Sequence, residues 1–562
     1  MSDFKPLHVG DKSSDGKYEI VDEDRLCYKV RMPKGTFAIA DKSCYREFVE
    51  WASKHKNDNA SKMKDALSGK TEVDPFTYGY NSLFRNLALM TIDSKAVIRK
   101  VGNQQNANQS KVRVGLKSKE YSFISAIKTK PFLLLAGISG TGKSRIVREY
   151  AFKSCPEYLQ DKTGTTPGNY CMIEVKPNWH DSTELLGYYS RLGKAGYQFK
   201  KFVKFLVKAK MFPNVPFFVC LDEMNLAPVE QYFAEILSIL ETRKHPKKDG
   251  TNIVDMTVIK TETIVDASYF REFSEMFIDR KTQSKGSHSM SLTDRDIYLK
   301  LYGIDTENGI DEEVGSRHDL TTEGLTLPDN VVIIGTVNMD DTTHQFSRKV
   351  IDRAMTIEMN GGKLANMFGG SKNLEYLPKE EQEKWQHSFS QRYVTADEVL
   401  EAHPEVADAL VKNLPARLEK INEALKGTPF EVSYRVLNEL TIMVGVMLDN
   451  KTEEDTLDDI INQAVNYILL MKILPRIEGD AEMFALSRAY KERMGISYSD
   501  RLEWLKALAP DIEDRPKEPT VEGSESEETS IEGKKEHLQT AKEKIQEMID
   551  RLNNQEFTRF WP

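Results

Sequence analysis

The run Gly137-Ile-Ser-Gly-Thr-Gly-Lys-Ser144 follows an apolar stretch, Pro131–Ala136, and leads into a helix-forming segment, Arg145–Phe152. Its chemistry would be the capture of a polyphosphate. Glycines 137, 140 and 142 let the backbone turn so that successive N–H groups converge on one anion. Gly137, Ser139, Gly140, Thr141, Gly142 and Lys143 would line the cradle, Lys143 would reach the outer phosphates, and the Ser144 hydroxyl would ligate Mg2+.

A second signal is Phe217-Phe-Val-Cys-Leu-Asp-Glu223, an apolar strand that ends in two acids. In the sheet that carries the cradle, Asp222 would hold Mg2+ through water and Glu223 would polarise an attacking water, which is the geometry of hydrolysis. The third is Val331-Val-Ile-Ile-Gly-Thr-Val-Asn-Met-Asp-Asp341. Two readings of its tip stand: Asn338 bonds the water or γ-phosphate while Asp341 orients a cation, or the amide caps a turn.

The elements that must position these groups follow from the pattern of apolar residues. Strands are expected at Phe132–Ala136, Tyr170–Val175, Phe217–Leu221 and Val331–Val337, alternating with helices as in a parallel sheet with crossovers. This α/β core would span 115–360, interrupted at about 244–326 by a polar insertion long enough to carry its own elements. Ahead of it lie a small α+β module (1–101) and a Gln/Asn-rich linker (102–114). A helical region (361–510) follows, with helices expected at Ala396–His403, Val406–Leu425, Arg435–Leu448 and Leu457–Leu474. An acidic stretch (511–533) and a C-terminal amphipathic helix (534–562) complete the chain. Leu538, Ile545 and Leu552 form that helix's stripe, read as docking onto the helical region in preference to a coiled-coil seam.

Length and composition bound the rest. A chain of 562 residues makes room for three or four domains, taking about 150 residues for each. Net charge is −9, yet residues 1–115 hold 20 Lys and Arg against 15 Asp and Glu, a mildly basic front compatible with a nucleic-acid-binding head. The five cysteines show no C-x-x-C pair, which suits a reducing compartment without structural metal. The apolar runs are strand-sized and the N-terminus lacks an apolar signal core, so a cytoplasmic protein without membrane contact is expected.

Taken together these segments resemble an AAA+ NTPase and, more narrowly, the McrB branch, the motor subunit of modification-dependent restriction systems of the McrBC type. The resemblance spans about 130–480. Its most specific part is Leu221-Asp-Glu-Met-Asn-Leu-Ala-Pro-Val-Glu-Gln-Tyr-Phe-Ala-Glu-Ile-Leu-Ser-Ile-Leu-Glu241, with further matches at Asn338-x-x-Asp341, Phe430-Glu-Val-Ser-Tyr-Arg435, Lys472-Ile-Leu-Pro-Arg476 and Phe557-Thr-Arg-Phe-Trp561. It implies an AAA+ P-loop parallel sheet with a helical lid domain, preceded by the small α+β module. Carried over, Gly137–Ser144 bind phosphate, Asp222 supports the metal, and Glu223 activates water. Asn338 and Asp341 form the signature pair, tied to stimulation by a nuclease, and Arg435 resembles the lid arginine that senses the γ-phosphate.

Two departures bear on the arginine supplied in trans. No basic residue follows Asp341, and Asp352-Arg-Ala-Met-Thr-Ile-Glu358 stands where an Arg-Arg-Phe is usual. Arg353 and Arg348 are the candidates for that arginine, and each also reads as an ordinary surface or salt-bridge residue. Trp179 has two readings, contact with DNA or a partner's stalk, or local packing.

The resemblance implies an antiviral restriction motor: a homo-oligomer, a hexameric ring, that hydrolyses GTP or ATP with Mg2+, with GTP favoured. It would recognise DNA through its N-terminal module and work with a separate McrC-like nuclease. A MoxR-like or chaperone-type remodelling ATPase acting on protein, and a nucleotide-gated scaffold for a defence effector, are the alternatives.

Overall fold

The structure, a computed structural model, describes residues 11–12, 19–23, 27–31, 37–41 and 99–100, then 119–161, 166–192, 196–247, 254–277, 292–339, 344, 346–359, 374–452, 455–512 and 539–561. The chain divides into two units, Met1–Lys111 and Val112–Pro562.

In the first unit, an antiparallel sheet runs in the order Phe37–Asp41, Cys27–Arg31, Glu19–Glu23, Asp11–Lys12, Arg99–Lys100. Two of these strands cover most of the alternating runs Tyr28-Lys-Val-Arg-Met32 and Thr36-Phe-Ala-Ile-Ala40, which the sequence offers as strands of the small α+β module. For the rest of that module the sequence suggests a helix at Tyr45–Lys54 and a Tyr- and Phe-rich patch at Pro75–Leu89, both of which lie outside the described residues.

The second unit is an α/β fold built on five parallel strands: β1 (Phe132–Gly137), β2 (Tyr170–Glu174), β3 (Phe217–Asp222), β4 (Val331–Asn338) and β5 (Met355–Glu358). Their order is β5-β1-β4-β3-β2. The central strands β1 and β4 are buried along their whole length, which is why they read as unbroken apolar runs. Register pairs Asn338 with Gly137 and Asp222 with Glu174, and sets Gly335 opposite Leu221. The C-terminal ends of β1, β3 and β4 therefore share one edge of the sheet, and β1 lies between the two directions of strand addition, where α/β sheets open a crevice for ligands.

Helices cover both faces. On one side α1 (Lys119–Thr129) and α2 (Lys143–Ser154) pack with the helical region, whose first helix is α3 (Lys379–Phe389). Tyr150 of α2 fastens this layer, its ring centroid 4.6 Å from that of Phe123 and 5.6 Å from those of Trp385 and Phe389. The other face is covered by the helix Lys201–Met211 and by the insertion, which holds helices Ala267–Glu275 and Asp294–Tyr302 and the strand pair Thr263–Val265 and Leu325–Thr326.

In the helical region, observed helices are Ala396–Ala402, α4 (Ala407–Leu425), α5 (Tyr434–Leu448) and α6 (Leu457–Ile468). The last differs from the continuous helix expected to Leu474. It widens into a π turn at Leu469–Ile473 and tightens into a 3-10 turn at Leu474–Arg476, where Pro475 lacks the N–H a regular helix needs. The C-terminal α7 (Ala541–Gln555) docks on this region: Lys544 and Glu358 form a 2.6 Å ion pair with both side chains almost fully buried, and Phe557–Arg559 pairs antiparallel with Glu478–Asp480. Ile545 and Leu552 are buried, whereas Leu538 lies outside the described residues. Among the described residues, no helix is long and apolar enough to cross a membrane.

Candidate functional site

The loop between β1 and α2 has the conformation its glycines were expected to provide. Gly140 and Gly142 take φ of 81° and 80°, in the left-handed region. Gly137 is needed for another reason: a Cβ there would lie 2.4 Å from the Met359 carbonyl oxygen, because Met359 N–H closes on Ala136 O at 2.7 Å. Ser139 and Gly140 form the exposed rim, and Thr141 Oγ1 donates to Ile138 O at 3.0 Å. Lys143, only 6% exposed, donates to Gly137 O at 3.0 Å and Ile138 O at 2.7 Å, which holds its ammonium at the loop.

Opposite the loop stands a chain of hydrogen bonds. Ser144 Oγ donates to Asp222 Oδ1 at 2.6 Å, and Thr336 Oγ1 donates to the same oxygen at 2.8 Å. Thr336 Oγ1 in turn accepts from Glu223 N at 3.0 Å, and Asn338 Nδ2 donates to Glu223 Oε1 at 3.0 Å. Asn225 Nδ2 completes it by donating to Asn338 O at 3.3 Å. Glu223 has a φ of 53° and a ψ of 50°, a left-handed backbone in a residue that is neither glycine nor asparagine. Strain of this kind persists only where the surroundings fix it. Here the Thr336 hydroxyl and the Asn338 amide do so, leaving the carboxylate exposed at the tip of β3.

The donor set fits Mg2+. Ser144 Oγ and Asp222 Oδ1 are hard oxygens that converge beside the phosphate loop, and Mg2+ characteristically takes one or two such groups plus waters and phosphate oxygens. The structure thus brings Gly137–Ser144, Asp222, Glu223 and Asn338 together, while Asp341 lies outside the described residues.

The arginines are elsewhere. Arg435, at the start of α5, pairs through Nη2 with Glu241 Oε2 at 2.9 Å, and Arg353 Nε lies 3.8 Å from Glu241 Oε1. The same oxygen receives Lys130, 3.2 Å away, and Lys130 lies two residues before β1. Arg353 likewise precedes β5, so this group gathers at the N-terminal edge of the sheet. Arg348 donates to Pro429 O at 3.4 Å and lies 5.2 Å from the Phe430 ring. A six-residue strand is about 20 Å long, so Arg435 is not placed to sense a γ-phosphate on its own chain's loop.

Three contributors escaped the reading of the sequence. Thr336 stood two residues before Asn338 on the same face of β4, a weak but usable signal. Asn225 and Glu241 were visible only as parts of the Leu221–Glu241 segment. Trp179 packs locally: it is 5% exposed and meets the Tyr232 ring edge-on at 5.2 Å.

Residues 385–557 match a protein family described as a domain of unknown function, DUF8727, which covers the helical region and α7. No curated protein matches the chain significantly. Among solved structures, the chain is similar to a "putative ATPase" from Cytophaga hutchinsonii at 14% identity and a TM-score of 0.31, over 73% of this chain and 96% of that one. At that score the likeness adds nothing to the geometry of the site.

Proposed function

We propose that the chain is a Mg2+-dependent AAA+ nucleoside triphosphatase whose site is completed by a second copy of itself. The observation that supports it best is the linked set Ser144–Asp222–Thr336–Glu223–Asn338 facing a glycine loop at one edge of the sheet. Loop N–H groups and the start of α2 bind the phosphates. Lys143 exchanges its two loop carbonyls for phosphate oxygens, a charge-assisted bond of greater strength. Ser144 and Asp222 would hold Mg2+, which neutralises charge between the outer phosphates. Glu223 orients a water and accepts its proton, and Asn338 fixes the carboxylate that does so. Arg353 and Arg435 lie at the far edge of their own sheet, so they act on phosphates held by a neighbour, as a ring supplies, and Arg348, on the short helix before Arg353, is a further candidate.

The narrower reading is an McrB-like motor of an antiviral restriction system, a hexamer that favours GTP over ATP, recognises DNA through residues 1–101 and works with an McrC-like nuclease. It is supported by the Leu221–Glu241 segment and by the Asn338-x-x-Asp341 spacing. The test is hydrolysis of GTP and ATP by purified protein, with and without DNA and a nuclease subunit of the McrC kind, while size is followed by light scattering. Turnover of GTP raised by the nuclease in a ring-sized particle is expected. ATP turnover indifferent to both additions would transfer the reading to a protein-remodelling ATPase, and no turnover to a scaffold. In the same assay Lys143→Ala loses nucleotide binding, whereas Glu223→Gln binds and does not turn over.

A further inference from the structure

Glu241 closes the helix Ala234–Leu240, which is reached from Asp222 and Glu223 through the short turns Met224–Leu226 and Val229–Tyr232. Its carboxylate is shared by three cations from three parts of the chain: Lys130 ahead of β1, Arg353 ahead of β5 and Arg435 of the helical region. Beyond it the charges continue inward. Lys130 also pairs with Glu439 at 2.8 Å, and Glu439 pairs with Lys472 at 2.9 Å. Lys472 donates to the backbone oxygens of Asp352 and Ala354, and the Asp352 carboxylate is 3.0 Å from Arg476. The segment that bears Arg353 is thereby pinned on both sides, while the Arg353 side chain points back to Glu241.

Five cations face three carboxylates in this group, so it holds a surplus of positive charge. Its innermost members, Lys472 and Glu439, have side chains 1% and 4% exposed, while Arg353 and Arg435 are 25% and 38% exposed at its rim. An exposed pair contributes little and exchanges readily. When the arginines leave, Glu241 keeps Lys130, so no carboxylate is stranded.

We propose that Glu241 is an electrostatic latch: in the separate chain it holds Arg353 and Arg435 together, and it releases them when the triphosphate on a second copy of the chain takes its place. Phosphate is the stronger partner because the terminal phosphate carries more charge and offers three oxygens for bidentate bonds, whereas Glu241 holds Arg435 through one nitrogen and Arg353 only at 3.8 Å. The inference rests on the shared-site reading above. It adds that assembly competes with an internal ion pair, and that the competing group caps a helix downstream of Asp222 and Glu223 in the same chain segment.

The test compares the parent with Glu241→Gln in light scattering across a protein concentration series, with Mg2+ and a non-hydrolysable triphosphate analogue, and then in hydrolysis per chain at full assembly. Removing the charge while keeping the shape is expected to lower the half-assembly concentration about fivefold, the factor that an exposed pair's strength allows, with turnover at full assembly no lower than the parent's. Glu241→Asp, which keeps the charge and shortens its reach, is expected to fall between the two and carries the test if the Gln variant does not fold. An unchanged half-assembly concentration overturns the latch. So does turnover that drops at full assembly, which would make Glu241 a residue that positions the arginines in the active ring. Failure of the underlying reading has a different signature: Arg353→Ala/Arg435→Ala would leave both assembly and turnover at parent values.

Discussion

Thr336→Val keeps the volume and branching of the side chain and removes one hydroxyl, on a residue 2% exposed, between Asp222 and Glu223, the two acids of the proposed site. Two hydrogen bonds disappear with it. The bond to Asp222 has a charged acceptor and is worth about 1.5–3 kcal/mol, and the Glu223 N–H is left without its partner at a cost of about 1–3 kcal/mol if no water reaches it. Glu223 meanwhile sits in a left-handed conformation that by itself costs on the order of 1–3 kcal/mol. With the tether cut, its backbone relaxes towards the commoner regions and the carboxylate swings off the Asn338 amide. Not all of this reaches the transition state. A loss of about 2 kcal/mol in its stabilisation corresponds to roughly thirtyfold in rate. Single-turnover hydrolysis at saturating nucleotide, with binding measured separately on a fluorescent analogue, isolates the effect: binding is carried by the loop and stays, turnover falls, and Thr336→Ser restores it. A folded Thr336→Val protein that hydrolyses at the parent rate would refute the claim that this hydroxyl sets the position of Glu223.

Two further predictions concern stability. Gly137→Ala drives a methyl into the Met359 carbonyl, a backbone atom that can move only by displacing the end of β5, and is expected to cost about 1–3 kcal/mol in urea unfolding; an unchanged midpoint contradicts the close approach. His245 joins the insertion to the start of the helical region, with Nδ1 2.9 Å from Val258 O and Nε2 3.2 Å from Arg392 O and 3.5 Å from Glu398 Oε2. Burial opposes its charge, but the Glu398 carboxylate and the two carbonyls outweigh it and hold the pKa above the ordinary value. A folded-state value raised above the unfolded one gives stability that is complete below about pH 6.5 and is lost as pH rises through the folded value. The parent should therefore lose urea resistance across that window relative to His245→Gln, and parallel profiles would show that the imidazolium contributes nothing.

Strands β1–β4 were legible because each is an apolar run bounded by turn residues, and the glycine loop because its glycines have a local purpose. β5 was not. Met355-Thr-Ile-Glu358 is short and only half apolar, and what makes it a strand is pairing with β1, Met355 against Leu133. Thr336 illustrates the same limit within the site: one hydroxyl in an apolar run reads as core until the register of β3 and β4 sets it beside Asp222. The arginine cluster lay further out of reach, since Lys130 and Glu241 are 111 residues apart in sequence and local pattern carries no trace of their contact. The end of α6 failed for a local reason: Leu469–Leu474 keeps the helical apolar spacing, and only the following proline hints at the widened turn.

The central claim is that one chain contributes the loop and acids while another contributes the arginines. It is tested most directly by mixing two inactive variants: Glu223→Gln chains, which keep Arg353 and Arg435, with Arg353→Ala/Arg435→Ala chains, which keep Glu223. In mixed assemblies some sites combine an intact Glu223 with a neighbour's intact arginines, so nucleotide hydrolysis should reappear on mixing and rise with the fraction of mixed neighbours. Hydrolysis that stays at the sum of the two separate variants, or a strictly monomeric parent that turns over as fast as the assembled one, would contradict the shared site.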